Sequence, residues 1–358
     1  MEDKLIKAYF ERQLLIKGID IELHKNISQL TLSCPRTRVE SEIVQLLFRA
    51  GFVSLSSCYD SKDLAIFRAV MPFMQVSKEP DIIFQTSKKE ISIEYSNKIW
   101  VNIPEGLDLI FAPLVAALVF LSVMKKENIS FAPENIQLPL NFESVPPDGK
   151  VMIVGAGGLG SPVIEFLLRN GLENLIVVEP DILSVSNIHR QTLYTSEEIG
   201  MKKSDALRKK LSTRNNVSLK TYSERFDSEM LKAETPDLVV ACVDNYATRY
   251  AINDACYKEG IPFIDAGVEG FSGYIMPHRQ RDACYRCFIG DDRTDKKGPK
   301  PILPFTSYFA GMLEAAYASN ILRCPDKPMK GFWFDLKNLT FTGFEVEKRR
   351  GCSVCDRF

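Results

Sequence analysis

From position 146 onward, short and wholly apolar runs alternate with segments of helical periodicity. Val151–Val154, Leu175–Val178, Leu238–Val243 and Phe263–Ala266 read as buried strands, and Ser161–Asn170 reads as a helix between the first two. Apolar strands separated by helices form a parallel sheet covered on both faces, the doubly wound Rossmann-like α/β arrangement. The pattern before 146 is different. Residues 5–17 suit a short amphipathic helix ended near Gly18, and Arg38–Ala50 is a helix closed at Gly51. Ile82–Phe84, Ile91–Tyr95 and Trp100–Ile103 alternate apolar and polar residues as strands do. Together these predict a small α+β, winged-helix-like module. Leu109–Met124 carries no charge, but it holds Pro113 and is shorter than the roughly 20 apolar residues a bilayer requires, so a buried helix is expected. Pro139 and the run Ser144–Gly149 read as a linker. The predicted units are residues 1–20, 21–145 and 146–358.

Composition narrows the partners. The 358 residues hold 45 Lys+Arg against 46 Asp+Glu, a formal net charge of -1, which supplies no long-range attraction for nucleic acid or an anionic membrane. Met1-Glu2-Asp3-Lys4 is charged where a signal peptide is apolar, so a cytoplasmic location and reduced cysteines are expected, and the nine cysteines call for a reading other than disulfides.

Gly155-Ala156-Gly157-Gly158-Leu159-Gly160 follows the first apolar strand and opens a helix, the context in which G-x-G-x-x-G binds a nucleotide. Backbone without side chains approaches phosphate closely, and the helix N-terminus offers free N–H donors. Glu179 ends the second strand, placed to take ribose hydroxyls. A glycine turn without a ligand is the alternative, and the fingerprint alone leaves NAD, FAD, S-adenosylmethionine and ATP open. Ser186–Gln191 then adds two carboxamides and a guanidinium, with Lys203 beyond, a cationic set suited to a triphosphate rather than to hydride transfer. Asp244, at the end of a strand, is placed to hold Mg2+; capping a helix is its competing role.

Cys284-Tyr285-Arg286-Cys287 and Cys352-Ser353-Val354-Cys355 make two C-x-x-C pairs. Four thiolates form a closed tetrahedral zinc site with no position for water, hence a structural Zn2+; a redox dithiol fits two such pairs poorly. The other five, Cys34, Cys58, Cys242, Cys256 and Cys324, are expected to be buried and unreactive.

Taken in order, Gly155–Gly160, Glu179-x-Asp181, Ser186–Gln191, Gly200-x-x-Lys203, Cys242-x-Asp244-Asn245 and both cysteine pairs resemble the E1-like adenylating enzymes, the ThiF, MoeB and ubiquitin-activating superfamily. Residues 11–20, E-R-Q-L-L-I-K-G-I-D, are similar to the R-Q-x-x-x-x-G-x-D segment of those enzymes. The resemblance implies that Arg12, Arg190 and Lys203 contact the ATP phosphates, that Asn187 and Gln191 orient them, and that Glu179 holds the ribose. Asp181 and the glycines Gly155, Gly157, Gly158 and Gly160 complete the nucleotide set, and Asp244 would bind Mg2+. In the family the arginine at the place of Arg12 reaches into the partner subunit's site, which implies a homodimer.

Two departures refine the expectation. Residues 21–145 separate the R-Q segment from the nucleotide strand, where ThiF and MoeB have almost nothing, and Phe288–Tyr317 contains no cysteine for a thioester. Both features resemble the peptide-modifying branch of the superfamily, of the microcin C7 and, in length and place of the insertion, pantocin A type. The implied function is ATP- and Mg-dependent adenylation of a carboxyl group, a glutamate side chain, in a ribosomal precursor peptide bound by the inserted domain, followed by cyclisation to a peptide antibiotic. Activation of the C-terminal glycine of a sulfur-carrier or ubiquitin-like protein is the alternative. A silent binding subunit is disfavoured, since every expected phosphate-contacting residue type is present.

Overall fold

The structure, a computed structural model, describes residues 2–56, 67–70, 72–77, 79–105, 107–136, 147–295 and 298–357, with backbone alone at Asn135 and Arg357. Cys58, Pro139 and residues 144–146 of the predicted linker lie outside the described residues.

The N-terminal half forms a seven-stranded sheet of β1 (Thr31–Leu32), β2 (Ser54–Ser56), β3 (Gln75–Ser77), β4 (Ile82–Ser87), β5 (Ile91–Tyr95), β6 (Ile99–Pro104) and β7 (Ile129–Phe131), in the order β3-β2-β1-β4-β6-β5-β7. Its helices include α1 (Asp3–Phe10), α2 (Ile21–Gln29), α3 (Arg38–Ala50) and α4 (Ala112–Lys125). The pairs from β3 through β6 are parallel and those of β5 with β6 and β7 antiparallel, a mixed α/β layer in place of the winged-helix-like module expected. Strands of two or three residues are too short to show alternation in sequence, which is why β1, β2, β3 and β7 escaped prediction.

Local chemistry sets the helix ends. Asp20 accepts from Leu23 N at 2.7 Å to start α2, and Thr37 accepts from Glu40 N at 3.1 Å to start α3, which Gly51 closes in the left-handed region at φ 116°. The expected helix over 5–17 stops at Phe10. Beyond it Gln13, Ile16 and Ile19 each donate to the carbonyl three residues back, so the chain turns through Arg12 and Gln13 instead of continuing helically.

The C-terminal half is an eight-stranded sheet of β8 (Lys150–Val154), β9 (Asn174–Val178), β10 (Ser218–Tyr222), β11 (Leu238–Ala241), β12 (Phe263–Glu269), β13 (Ser272–His278), β14 (Gly331–Asp335) and β15 (Thr340–Phe344), ordered β10-β9-β8-β11-β12-β13-β14-β15. β10 through β12 are parallel; β12 through β15 are antiparallel. Its helices include α5 (Gly160–Arg169), α6 (Lys203–Leu211), α7 (Ser228–Glu234), α8 (Tyr246–Glu259), α9 (Tyr285–Ile289) and α10 (Pro304–Arg323).

The two sheets share one hydrophobic core. The uncharged segment is the expected buried helix: α4 buries every residue from Ala112 to Val123 and packs on α3 and α10, and each fully buried Leu, Val or Phe there contributes about 1.5–3 kcal/mol. Tyr308 of α10 donates to Glu42 of α3 across the same boundary. No described helix is long and apolar enough to cross a membrane.

Candidate active site

β8 lies between β9 and β11, so successive crossovers leave it in opposite directions, and a crevice opens beyond its carboxyl end. A cavity of about 850 Å³ occupies it, and every residue predicted for the nucleotide site lines it except Gly160. Gly160 lies beneath the loop: a Cβ there would overlap Gly155 O, and one on Gly155, at φ 97°, would stand 2.6 Å from Cys242 O. These two glycines let the loop fold; Gly157 and Gly158 face the cavity.

At the end of β9, Glu179 is 3% exposed and its carboxylate is taken up by Ala156 N at 2.8 Å, Asp181 N at 2.9 Å and Lys203 Nζ at 3.6 Å. Lys203 also reaches Asp181 at 3.1 Å. The Asp181 side chain is 68% exposed, which makes it the acid more open to a ribose hydroxyl, while Glu179 holds the glycine loop in shape.

Arg190 forms no ion pair among the described residues. It donates to Ser186 O at 2.6 Å and sits 2.9 Å from His189 Nε2, and burial, then the nearby Arg12 guanidinium, push its pKa down to about 9. Arg12 forms no hydrogen bond or ion pair through its side chain among the described residues, so two guanidinium groups line the cavity without an ion-pair partner, and the attraction of Asp244 and Glu11 for Arg190 is outweighed by burial and by Arg12. Two such cations side by side suit a polyanion. Arg12 lines the cavity of its own chain, its carbonyl accepting from Ile302 N at 3.2 Å. Gln191 is buried with Oε1 unpartnered, and Asn187 lends its oxygen to Ser184 N at 3.1 Å.

Asn245, not Asp244, caps α8, accepting from Thr248 N at 2.9 Å. The Asp244 carboxylate is exposed at the cavity and makes no hydrogen bond or ion pair among the described residues, as a Mg2+ ligand requires. Sequence reasoning missed Arg225, Lys300 and Trp333 in the same lining, and a trio of which Arg249 and Tyr274 line the cavity and Asp265 is fully buried. In that trio Arg249 pairs with Asp265, and Tyr274 Oη donates to Asp265 at 2.7 Å; burial outweighs Arg249 and raises the Asp265 carboxyl to about 6. These residues are scattered over β12, β13 and α8, so no local motif announces them.

The four Sγ atoms of Cys284, Cys287, Cys352 and Cys355 lie within 4.8 Å of one another. The spacings of 3.9 Å between Cys284 and Cys287, 3.5 Å between Cys284 and Cys352 and 3.3 Å between Cys287 and Cys355 suit a tetrahedral Zn–S₄ centre, whose sulfurs are about 3.8 Å apart. Among the remaining cysteines, Cys242 and Cys256 are buried as expected. Burial, then Glu314 with its oxygens 3.9 and 4.0 Å away, holds the Cys242 thiol well above its usual pKa. Two expectations fail: Cys324 is exposed beyond the end of α10, where Pro325 stops the helix, and Cys34 is disulfide-bonded.

The model of the ThiF family matches residues 147–354. The sulfur carrier protein adenylyltransferase of Thermus thermophilus is 35% identical over 222 residues, covering 57% of this chain and 81% of the relative. The sulfur carrier protein ThiS adenylyltransferase of Escherichia coli is 32% identical over 219 residues, covering 58% and 86%. Among solved structures, E. coli MccB with MccA-N7isoASN shares the fold at a TM-score of 0.52 and 19% identity, over 58% of this chain and 67% of that one.

Proposed function

Because the chain belongs to the ThiF family, whose members are ATP-dependent adenylating enzymes, we propose that it adenylates a glutamate side chain of a ribosomally made precursor peptide, leading to ring closure in peptide-antibiotic biosynthesis. The observation that carries adenylation is the pair of guanidiniums, Arg12 and Arg190, which form no ion pair among the described residues and stand beside Lys203 in one cavity. A carboxylate oxygen of the substrate attacks the α-phosphorus of ATP, the bond to the bridging oxygen breaks, and pyrophosphate leaves with its charge neutralised by these cations. Asp244 would hold Mg2+, which would supply charge neutralisation for the phosphates, and Asp181 takes the ribose. A nitrogen of the same peptide then attacks the acyl carbon, AMP departs, and the ring closes.

The peptide reading is supported by the inserted sheet of residues 21–145, which packs directly on the adenylating unit, and by the cavity's continuation over Gly267, Tyr274 and Trp333. Among the described residues Cys242 is the only cysteine lining the cavity, and its thiol is held protonated, so the acyl group passes to nitrogen and not to sulfur. The protein is proposed to work as a cytoplasmic homodimer, with Zn2+ in the four-cysteine site holding the C-terminus. A second reading, adenylation of the C-terminal glycine of a sulfur-carrier protein, is favoured by the names of the two relatives.

One experiment separates them. The chain is incubated with MgATP and either glutamate-containing precursor peptides or a small protein ending Gly-Gly. Pyrophosphate release with a peptide product lighter by one water supports the first reading; release with the carrier protein alone establishes the second. Asp244→Ala abolishes release in either case.

A further inference from the structure

Arg49, in the last turn of α3, is 1% exposed, yet no carboxylate among the described residues stands within ion-pairing distance of it. Its guanidinium instead leaves the insertion and enters the loop that follows β9. Nη1 donates to Ile188 O and, at 3.4 Å, to Gln191 O; Nη2 donates to Thr192 O and Tyr194 O, each at 3.3 Å. Four carbonyls of one irregular stretch, residues 188–194, thus converge on a single cation. A loop outside helix and sheet must find donors for its buried carbonyls, and a planar guanidinium fixes several of them in one geometry.

The clamp has a second jaw. Gln13 Nε2 donates to Arg49 O at 2.9 Å and lies 3.3 Å from His189 Nδ1, whose other ring nitrogen is 2.9 Å from Arg190. The clamped stretch carries Arg190 and Gln191, and both line the cavity.

We propose that Arg49 is a positioning residue for the nucleotide step: from the inserted unit it sets the curvature of residues 188–194, so that Arg190 and Gln191 face the triphosphate. The inserted sheet is then part of the scaffold of the nucleotide site as well as an addition to it. This rests on the reading above that Arg190 contacts phosphate.

The test uses the full chain with MgATP and AMP as probes, in binding titrations of wild type, Arg190→Ala, Arg49→Gln and Arg49→Lys. In Arg49→Gln, ATP affinity falls about tenfold while AMP affinity changes less than about twofold, because loss of charge-assisted bonds disturbs only the loop that meets the outer phosphates. Zinc content and near-UV circular dichroism stay at wild-type values, and Arg49→Lys, with a point charge in place of the fork, recovers part of the loss. Unchanged ATP affinity in folded Arg49→Gln, or a parallel loss of ATP and AMP binding, overturns the proposal. Should Arg49→Gln not fold, the decision passes to Arg49→Lys and Gln13→Leu, in which the ATP-selective loss supports the clamp and unaltered ATP affinity overturns it. If Arg190→Ala leaves ATP binding intact, the phosphate reading itself fails; if Arg190→Ala weakens it and Arg49→Gln does not, only the role of Arg49 fails.

Discussion

Lys203 Nζ stands 3.6 Å from the Glu179 carboxylate, and both side chains are only 4% exposed. The pair ties the start of α6 to the end of β9, and Glu179 in turn holds the glycine loop through Ala156 N. Removing the cation strands a buried carboxylate, so Lys203→Met costs about 3 kcal/mol or more of stability in addition to any nucleotide affinity. Asp181→Asn alters an exposed group and leaves the melting temperature in place while weakening ATP binding. Thermal unfolding and ATP titration of the two variants check this; an unchanged melting temperature for Lys203→Met contradicts the pair's structural part.

Acid sensitivity follows from His24. It is fully buried, stacked on Phe10 with ring centroids 4.7 Å apart, and neither ring nitrogen has a partner, so burial holds its pKa at about 4 against a partial opposing pull from Asp20. The folded-state pKa lies below the unfolded value of 6.5, so the unfolded chain binds the proton first. The stabilising contribution is complete above pH 6.5 and is lost as pH falls from 6.5 toward 4, at about 1.4 kcal/mol per pH unit. His24→Leu lessens the slope of the stability curve across that window, while the equally buried His189 and His278, whose pKa values burial also lowers, keep their own shares. Denaturant titrations at several pH values measure it, and an equally steep curve in the variant counts against His24 as the source.

What was legible in the sequence depended on whether the physics was local. The apolar strands β8, β9 and β11, the glycine turn and the cysteine pairs are set by residues adjacent in the chain, and the prediction placed them within a few residues. Ile82–Phe84, Ile91–Tyr95 and Trp100–Ile103 were also recognisable as strands, but not their places, with β4, β5 and β6 all interior to the sheet. Edge or centre is decided by β7 and β1, which are too short to leave a pattern. Arg49 was read simply as part of a helix; its function appears only when residues 188–194 are folded against it. The Arg249–Asp265–Tyr274 trio was hidden for the same reason.

Zinc removal tests the C-terminal closure. Cys284 and Cys287 flank the start of α9, whereas Cys352 and Cys355 lie in the last turns of the chain, so a metal held by the four would cross-link segments far apart in sequence. Cys352→Ser lowers zinc content below one per chain and lowers the melting temperature, because metal binding contributes directly to folding free energy. Elemental analysis of untreated protein containing no zinc contradicts the assignment.

The position of Arg12 makes a prediction opposite to the one its sequence segment suggests. Its backbone is tied to Ile302 and its side chain lines the cavity that holds Asp244 of the same chain. If the site is completed within one chain, Arg12→Ala and Asp244→Ala each inactivate only the site of the chain that carries them. A hetero-oligomer purified through two different tags then has one lesion in every site and releases no pyrophosphate. Were Arg12 donated across a two-fold axis, the same hetero-oligomer would hold one doubly damaged site and one intact site, and about half of wild-type activity would return. Asp244 is the better second lesion than Lys203, because an exposed carboxylate is removed without stranding a buried partner. The expected result is no rescue, and recovery of activity in a verified mixed assembly would establish that the arginine is shared between subunits.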